Sequence, residues 1–476
     1  MHYSVLRRGY HATARKRASA DGGFMYRFIQ ILAIITISFG IFGGDHNAVL
    51  EGNNGARINI GQKLGADKKI AAALKEQRDN LQPGISRSVH IATAFHTEDL
   101  SMFIPLSKES AEHGVSVSYY PNTRQLRTAE GKETIDELAK TGLGDVYNSS
   151  RIHDKMVAII NKKTDGSGSS ENLSGTVFLG SCNLGSKNAA ERNEECLVEL
   201  ADPASLKAAQ KIFQEGYKPY AHAYDGSTVF HTPKKLKQQR DAELKTARVV
   251  DSLESPTKLT STVQTDIAAT REQFVQGSEA IFLESMGGFP SFAKSLPDDV
   301  LKSIIADHTA IPPYFEKWKA LAQKPNVRIA VRVNPSSSHH AKVVGVRKKE
   351  NDATVDMVEV GSANFTETSA QDFNSTFRTR IKSISPLRER HNKIHQKAQE
   401  ANSQFVVLSP TGKRLSERMP EERAAKRRRT AHQQAPVADN LAEIAAVATS
   451  MSTLMPSTTT TTTTTTTVQP VKRKLF

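Results

Sequence analysis

The chain has 476 residues, 24% of them charged, and a formal net charge of +14. Such a length can build two cores in one compact unit, and two cysteines are too few for a disulfide framework. The charge is concentrated at the ends. Residues 1–27 carry six Lys/Arg against one Asp, and residues 406–476 carry eleven against five acids, so the high pI does not indicate a basic nucleic-acid groove in the body.

In chain order, the basic start is followed by an apolar stretch, residues 28–42. It is short for a membrane span of ~20 residues and suits a signal h-region of about 7–15. Export is expected, with Met25 as an alternative start and residues 25–43 either cleaved near Ser38-Phe39-Gly40 or kept as an anchor. Residues 44–83 are polar with a Lys-rich helical pattern at 68–77, and read as a linker.

The first half, residues 84–224, alternates strands and helices. Strands are expected at 89–95, 114–117 and 195–200, and helices at 100–112, 133–140 and 203–217. A polar segment, 225–276, reads as a second linker. The second half, 277–405, repeats the plan, with strands at 280–283 and 327–333 and helices at 298–306, 314–323 and 386–404. Beyond residue 405 apolar periodicity is lost. The basic cluster 423–429 and the threonine run 458–467 predict a disordered tail, because such a segment cannot bury enough apolar area to offset ordering entropy.

One pattern occurs in both halves. His153-Asp154-Lys155 precedes an apolar run, a polar turn, a second apolar run and Gly180-Ser181-Cys182-Asn183. His340-Ala341-Lys342 leads in the same way to Gly361-Ser362-Ala363-Asn364. A paired H-x-K…G-S-x-N predicts an internal duplication whose halves meet at one site. Alternation along a strand puts each His and Lys on one face. Two imidazoles and two ammonium groups around one anionic centre suit phosphodiester chemistry: one histidine attacks phosphorus, the other handles protons, and lysines and asparagines hold the oxygens. That set requires neither metal nor cofactor.

The doubled motif resembles the phospholipase D superfamily, and residues 361–366 (GSANFT) are especially similar to its second motif. The resemblance covers roughly residues 84–385. It implies an α/β fold of two pseudo-symmetric α-β-α sandwich halves forming one catalytic unit in a monomer. It also implies His153 as nucleophile, His340 as acid/base, and Lys155, Lys342, Asn183 and Asn364 on the phosphate, with Ser181 and Ser362 matching the family's serines. Three departures stand out. The family's Asp five residues after Lys is replaced by Ile160 and Arg347, as it is also missing in tyrosyl-DNA phosphodiesterases. Both hairpins, 161–175 and 347–353, read as extended turns. Glu194 and Glu195 match the family's acidic partner segment, whereas the second copy has Asn374-Ser375-Thr376.

Three functional readings stay open. The first is an exported phospholipase D-like hydrolase of phospholipid headgroups at a membrane surface. The second is a nuclease of the same superfamily, and the third a catalytically inactive binding protein. The remaining candidates read as structural: Cys182 as a small buried residue, Trp318 as core, and His391 and His395 as a solvated helix face lacking a third metal ligand. His339 competes with His340, but the register with Lys342 favours His340.

Overall fold

A computed structural model describes residues 46–411, except 80–82, 95–114, 123–128, 141–143, 149–151, 164–171, 185–191, 221, 224–249, 252–256, 262–266, 289–291, 293–295, 335–336 and 366–371. The expected export segment, the helix at 100–112 and nearly all of the tail lie outside the described residues. No helix among the described residues is long and apolar enough to cross a membrane.

The first half comprises β1 (Ala48–Glu51), β2 (Arg57–Gly61), α1 (Ala66–Asp79), β3 (Ile85–Thr93), β4 (Val115–Pro121), α2 (Ala129–Lys140), β5 (Gly144–Asn148), β6 (Lys155–Lys163), β7 (Asn172–Gly180), β8 (Glu195–Leu200), α3 (Pro203–Lys211) and β9 (His222–Ala223). The second comprises β10 (Val250–Asp251), β11 (Lys258–Ser261), α4 (Ile267–Val275), β12 (Ser278–Ser285), β13 (Leu301–Asp307), α5 (Phe315–Ala322), β14 (Val327–Arg332), β15 (Val343–Glu350), β16 (Ala353–Gly361), β17 (Ser375–Arg380), α6 (Ser385–Lys397) and β18 (Phe405–Val407).

The two sheets have one topology. The first runs β1-β2-β8-β7-β6-β3-β4-β5-β9, and the second runs β10-β11-β17-β16-β15-β12-β13-β14-β18, the same order shifted by nine strands. In each, a parallel run (β3-β4-β5 and β12-β13-β14) is joined to antiparallel strands. The duplication read from the motif therefore extends over the whole sheet.

Pleating explains the continuous apolar runs after each H-x-K. Along β6, Met156, Ala158 and Ile160 enter a core shared by both halves, while Val157 and Ile159 face a separate core under α1. Along β15, Val343 joins the shared core and Val344 and Val346 the outer core containing Trp318. The shared core takes Cys196, Val198 and Phe213 from one half and Val358, Phe373 and Phe377 from the other. Burial of each such side chain stabilises the joined state by about 1.5–3 kcal/mol, so the halves are one folding unit.

Several expectations need correction. Residues 44–83 are not a linker, because β1 and β2 form the edge of the first sheet next to β8. Residues 225–276 likewise contain β10, β11 and α4. The helix expected at 298–306 is strand β13, whose Ile304, Ile305 and Ala306 are wholly buried between parallel neighbours. A short apolar run there satisfies either period, and sheet pairing decides it. The 347–353 hairpin is tight: β15 and β16 pair as far as Glu350 and Ala353, leaving Asn351 and Asp352 at φ 50° and 64°, the left-handed values of a two-residue type I′ turn.

His391 and His395 do not lie on a solvated face. Both are buried and meet the Ser303 hydroxyl at 3.0 Å, and His391 also lies 3.2 Å from Glu284. Glu284 belongs to a buried ionic chain that ties the halves together. Arg390 donates to Glu284 (2.9 Å) and to Glu194 of the first half (2.9 Å), and Arg332 also donates to Glu194 (2.6 Å). Replacing Arg390 by Ala leaves two buried carboxylates short of a cation. Urea unfolding is expected to show a loss of about 3–5 kcal/mol, and a loss under ~1 kcal/mol would show that the chain is not an interlock.

Candidate active site

Both H-x-K segments are irregular lead-ins to their strands, pinned by the opposite half. Ile152 bridges Phe373 and His153 N–H donates to the Phe373 carbonyl (3.0 Å). In the second copy, Glu194 bridges His339, and His340 N–H donates to the Glu194 carbonyl (2.7 Å). The ends of the parallel strands add a third anchor. Asn122 donates to the Ile152 carbonyl at 2.5 Å, and at the equivalent place Asp307 accepts from His339 N–H at 2.7 Å.

The glycine of each G-S-x-N is demanded by sheet spacing. A Cβ at Gly180 would lie 2.1 Å from the Cys196 carbonyl oxygen, and one at Gly361 would lie 2.1 Å from that of Ser375. This close approach lets the following serine reach the next strand. Ser181 Oγ accepts from Cys196 N–H (2.9 Å) and donates to Glu195 (2.5 Å), and Glu195 Oε2 meets His340 Nδ1 at 2.8 Å. Ser362 Oγ accepts from Ser375 N–H (3.1 Å) and donates to Asn374 Oδ1 (3.1 Å), which meets His153 Nδ1 at 2.8 Å. Each half thus orients the other half's histidine through the same three-link relay.

Asn374 is therefore the counterpart of Glu195, a correspondence hidden in the sequence because serine and acceptor are 14 residues apart in one copy and 12 in the other. Its amide donates to the Asp372 carbonyl (3.1 Å), which turns Oδ1 toward His153. His153 Nδ1 must then be the donor, leaving Nε2 as the lone-pair nitrogen of the neutral ring.

The electrostatics follow from burial. Burial, then Lys155 and Lys342, hold His153 well below the ordinary histidine range. Burial also lowers His340, but the Glu195 carboxylate pulls it back up. Burial, then Lys342, brings Lys155 down to about 7, and burial brings Lys342 to about 8. Each ammonium donates to the carbonyl of its own motif histidine at 2.5 Å. Among the described residues, the side-chain carbonyl oxygens of Asn183 and Asn364 are buried without a hydrogen-bond partner. The two cations beside the two imidazoles make a donor set that suits a tetrahedral oxyanion.

The remaining predicted residues sit behind this receptor. Ser181 and Ser362 are wholly buried with their hydroxyls occupied by the relays, so they orient the histidines and do not reach a phosphate. Glu194 touches His340 only through its backbone, its carboxylate being held by Arg332 and Arg390. His339 is buried beside Glu284, 3.2 Å from its carboxylate. Ile160 lies in the apolar shared core, and Arg347 pairs across the hairpin with Asp356 (2.7 Å to each oxygen), so neither copy has the family's Asp geometry. Both cysteines are free and buried. Besides Asn374, two further groups escaped the sequence reading. Arg271 clamps the second motif loop, donating to the Ala363 and Asn364 carbonyls and to Glu359. Asp154, between His153 and Lys155, accepts from Tyr217, Ser375 and Lys155 N–H.

Strand order, paired lead-ins and crossed relays can be set beside known structures. The chain is similar to phosphatidylserine synthase of Haemophilus influenzae Rd KW20, with a TM-score of 0.50 and 12% identity over 80% of this chain and 97% of that one. The chain has the phospholipase D superfamily fold. Weaker likenesses to members of that superfamily include polyphosphate kinase from Porphyromonas gingivalis (TM-score 0.46, 12% identity, 75% of this chain but only 49% of that one) and yeast tyrosyl-DNA phosphodiesterase (TM-score 0.35, 10% identity, 65% and 87%). No protein-family model and no curated protein matches the sequence.

In this phospholipase D fold the lowered lysines give a measurable signature. Both hold protons more weakly folded than unfolded, so between pH about 7 and the ordinary 10.5 the unfolded chain binds more protons and the ligand-free protein gains stability from them as pH rises. Anion binding has the opposite slope. Affinity for tungstate, measured by calorimetry, is expected to fall as pH rises through about 7 to 8, by up to about tenfold per unit for each lysine that must stay charged. A flat profile would place the anion elsewhere.

Proposed function

We propose that the protein is a phosphodiesterase that hydrolyses phospholipid headgroup esters through a phosphohistidine, using His, Lys and Asn side chains. The observation that carries this reading is the crossed pair of relays, which leaves one ring nitrogen of each histidine directed away from its anchor. His153 Nε2 attacks phosphorus, forming the P–N bond as the P–O bond to the leaving group breaks. His340, whose carboxylate partner favours the imidazolium, gives its Nε2 proton to the departing oxygen. Water then attacks phosphorus while His340 takes its proton, and the P–N bond breaks to return neutral His153. Lys155, Lys342, Asn183 and Asn364 hold the non-bridging oxygens throughout. The body's modest charge and the apolar segment at 28–42 favour a lipid surface over a nucleic acid as substrate source, and the similar structure named phosphatidylserine synthase is compatible with it.

The test uses the full chain with EDTA throughout, given phosphatidylcholine vesicles or single-stranded DNA. Phosphatidate release is expected from wild type. It should be lost in His153→Ala, with no acid-labile phosphoenzyme, and reduced about 10²–10⁴-fold in His340→Ala. DNA cleavage with the same dependence moves the protein to the nuclease reading. Turnover of neither substrate, with no phosphoenzyme, leaves a binding protein.

Glu195→Gln separates the histidine roles. Removing the carboxylate that supports the His340 imidazolium should shift the basic limb of kcat/KM to lower pH and slow turnover at least ~10-fold. An unshifted limb assigns the acid elsewhere.

A further inference from the structure

The two copies of the site differ in where their carboxylates lie. In the His340 copy the relay ends in Glu195, and the residue between His and Lys is Ala341. In the His153 copy the relay ends in the amide Asn374, and the residue between His and Lys is Asp154. Glu195 acts on both buried lysines, joined by Asp307 at Lys342 and by Asp154 and Asp372 at Lys155, so Asp154 is a carboxylate particular to the Lys155 side. Asp154 is wholly buried. Burial raises its carboxyl above the ordinary range, and the donors it accepts from, the Tyr217 hydroxyl, the Ser375 hydroxyl and Lys155 N–H (2.8 Å), oppose that rise and favour the anion.

Those contacts also cross between the halves. Tyr217 and Asp154 belong to the first half, while Ser375 opens β17 in the second. Ser375 is the residue whose backbone N–H heads the relay through Ser362 and Asn374 to His153. Tyr217 also meets Ser375 Oγ at 3.0 Å. A shift of β17 relative to the H-x-K lead-in would therefore move the acceptor of His153 Nδ1.

We infer that Asp154 is the positioning residue of the His153 half: it clasps β17 through Ser375 and supplies Lys155 with the counter-charge that the relay, ending in an amide, does not. This rests on the reading of the site as a phosphate receptor. Among the described residues, Lys342, Asp154, Glu195 and Asp372 act on Lys155, and Lys155 in turn acts on the His153 and His340 rings, with His153 also in contact through its carbonyl. Lys342 opposes its charge and the three carboxylates favour it. Asp154 acts through the groups it holds and does not touch the substrate, so its loss should change the proton balance of the site as well as stability.

The experiment measures tungstate affinity of the full chain by calorimetry from pH 6 to 9, with thermal unfolding alongside, for wild type, Asp154→Asn and the pair Asp154→Asn with Asn374→Asp. Asp154→Asn is expected to shift the alkaline loss of affinity to lower pH by about one unit, roughly tenfold weaker binding near neutrality. Asn374→Asp, which places a carboxylate where the other copy has Glu195, is expected to move the profile back toward wild type. A purely structural Asp154 predicts no such return, because the hydrogen bonds it makes to Tyr217 and Ser375 are not restored by a carboxylate at residue 374. An unshifted Asp154→Asn profile, or a loss that Asn374→Asp leaves in place, overturns the inference. If Asp154→Asn does not fold, Ser375→Ala replaces it; removing the clasp but keeping the relay N–H, it should weaken tungstate several-fold, and unchanged affinity overturns the clasp. Because binding is read without turnover, a protein that hydrolyses nothing yet shows the shift keeps this inference and loses the proposed reaction. A wild type that binds no tungstate at any pH overturns both.

Discussion

The structure depends on one constraint: each histidine is oriented by the half to which it does not belong. Glu195 of the first half holds His340, and Asn374 of the second holds His153, both through a serine that follows an obligatory glycine. A ring held at Nδ1 by an outside acceptor has its tautomer and its plane fixed together. Neither half can do this alone, so the site exists only when the sheets have joined over their shared apolar core. Folding of the interface and assembly of the receptor are the same event. The buried ionic chain from Arg332 through Glu194 and Arg390 to Glu284 belongs to that event as well, since Glu194 also pins His340 through its backbone.

How much of this was legible follows from the kind of signal each feature leaves. The H-x-K and G-S-x-N motifs are local and repeated, so candidate site lysines, histidines and asparagines could be proposed from them, and the two-halved α/β architecture could be read. Features that depend on pairing across the chain could not. The β1 and β2 strands are short, and only their pairing with each other and with β8 reveals them. β13 has an apolar run compatible with either period until parallel neighbours bury it on both sides. Asn374 escaped because its loop is two residues shorter than the one before Glu195, and an amide in place of a carboxylate looks like a loss when only sequence is compared. His391 and His395 were misjudged for a related reason: a helix rich in charge reads as solvated, yet Ser303 and Glu284 give its histidines a polar niche inside the protein.

Departures from the family pattern have a common physical form, in which a charge is relocated and a neighbour absorbs the change. Arg347 occupies the position of a family Asp, and the carboxylate that answers it is Asp356, directly opposite in the β15–β16 ladder. Ile160 fills the other such position within the shared apolar core, so no uncompensated charge is buried there. The relay amide at Asn374 is matched by Asp154 on the adjoining lead-in. Counting motif letters would score each of these as a defect. Counting buried charges in space gives a different result, because every buried ion among them faces an opposite charge or a set of donors.

The lysines show why that balance is held so closely. Both ammonium groups are withdrawn from water, which favours their neutral forms and, with the charge of Lys342 acting on Lys155, brings Lys155 and Lys342 to about 7 and 8. Full compensation by carboxylates would keep them charged but would also repel an incoming phosphate. No compensation would leave them neutral, with nothing to offer an anion. The observed arrangement is intermediate: Glu195 and Asp154 stand behind the histidines or the backbone and raise the lysines only in part. An entering oxyanion completes what the protein leaves unfinished. A site tuned in this way suits an anion because its own charges are incompletely paired, and the proposed affinity would depend on pH near neutrality.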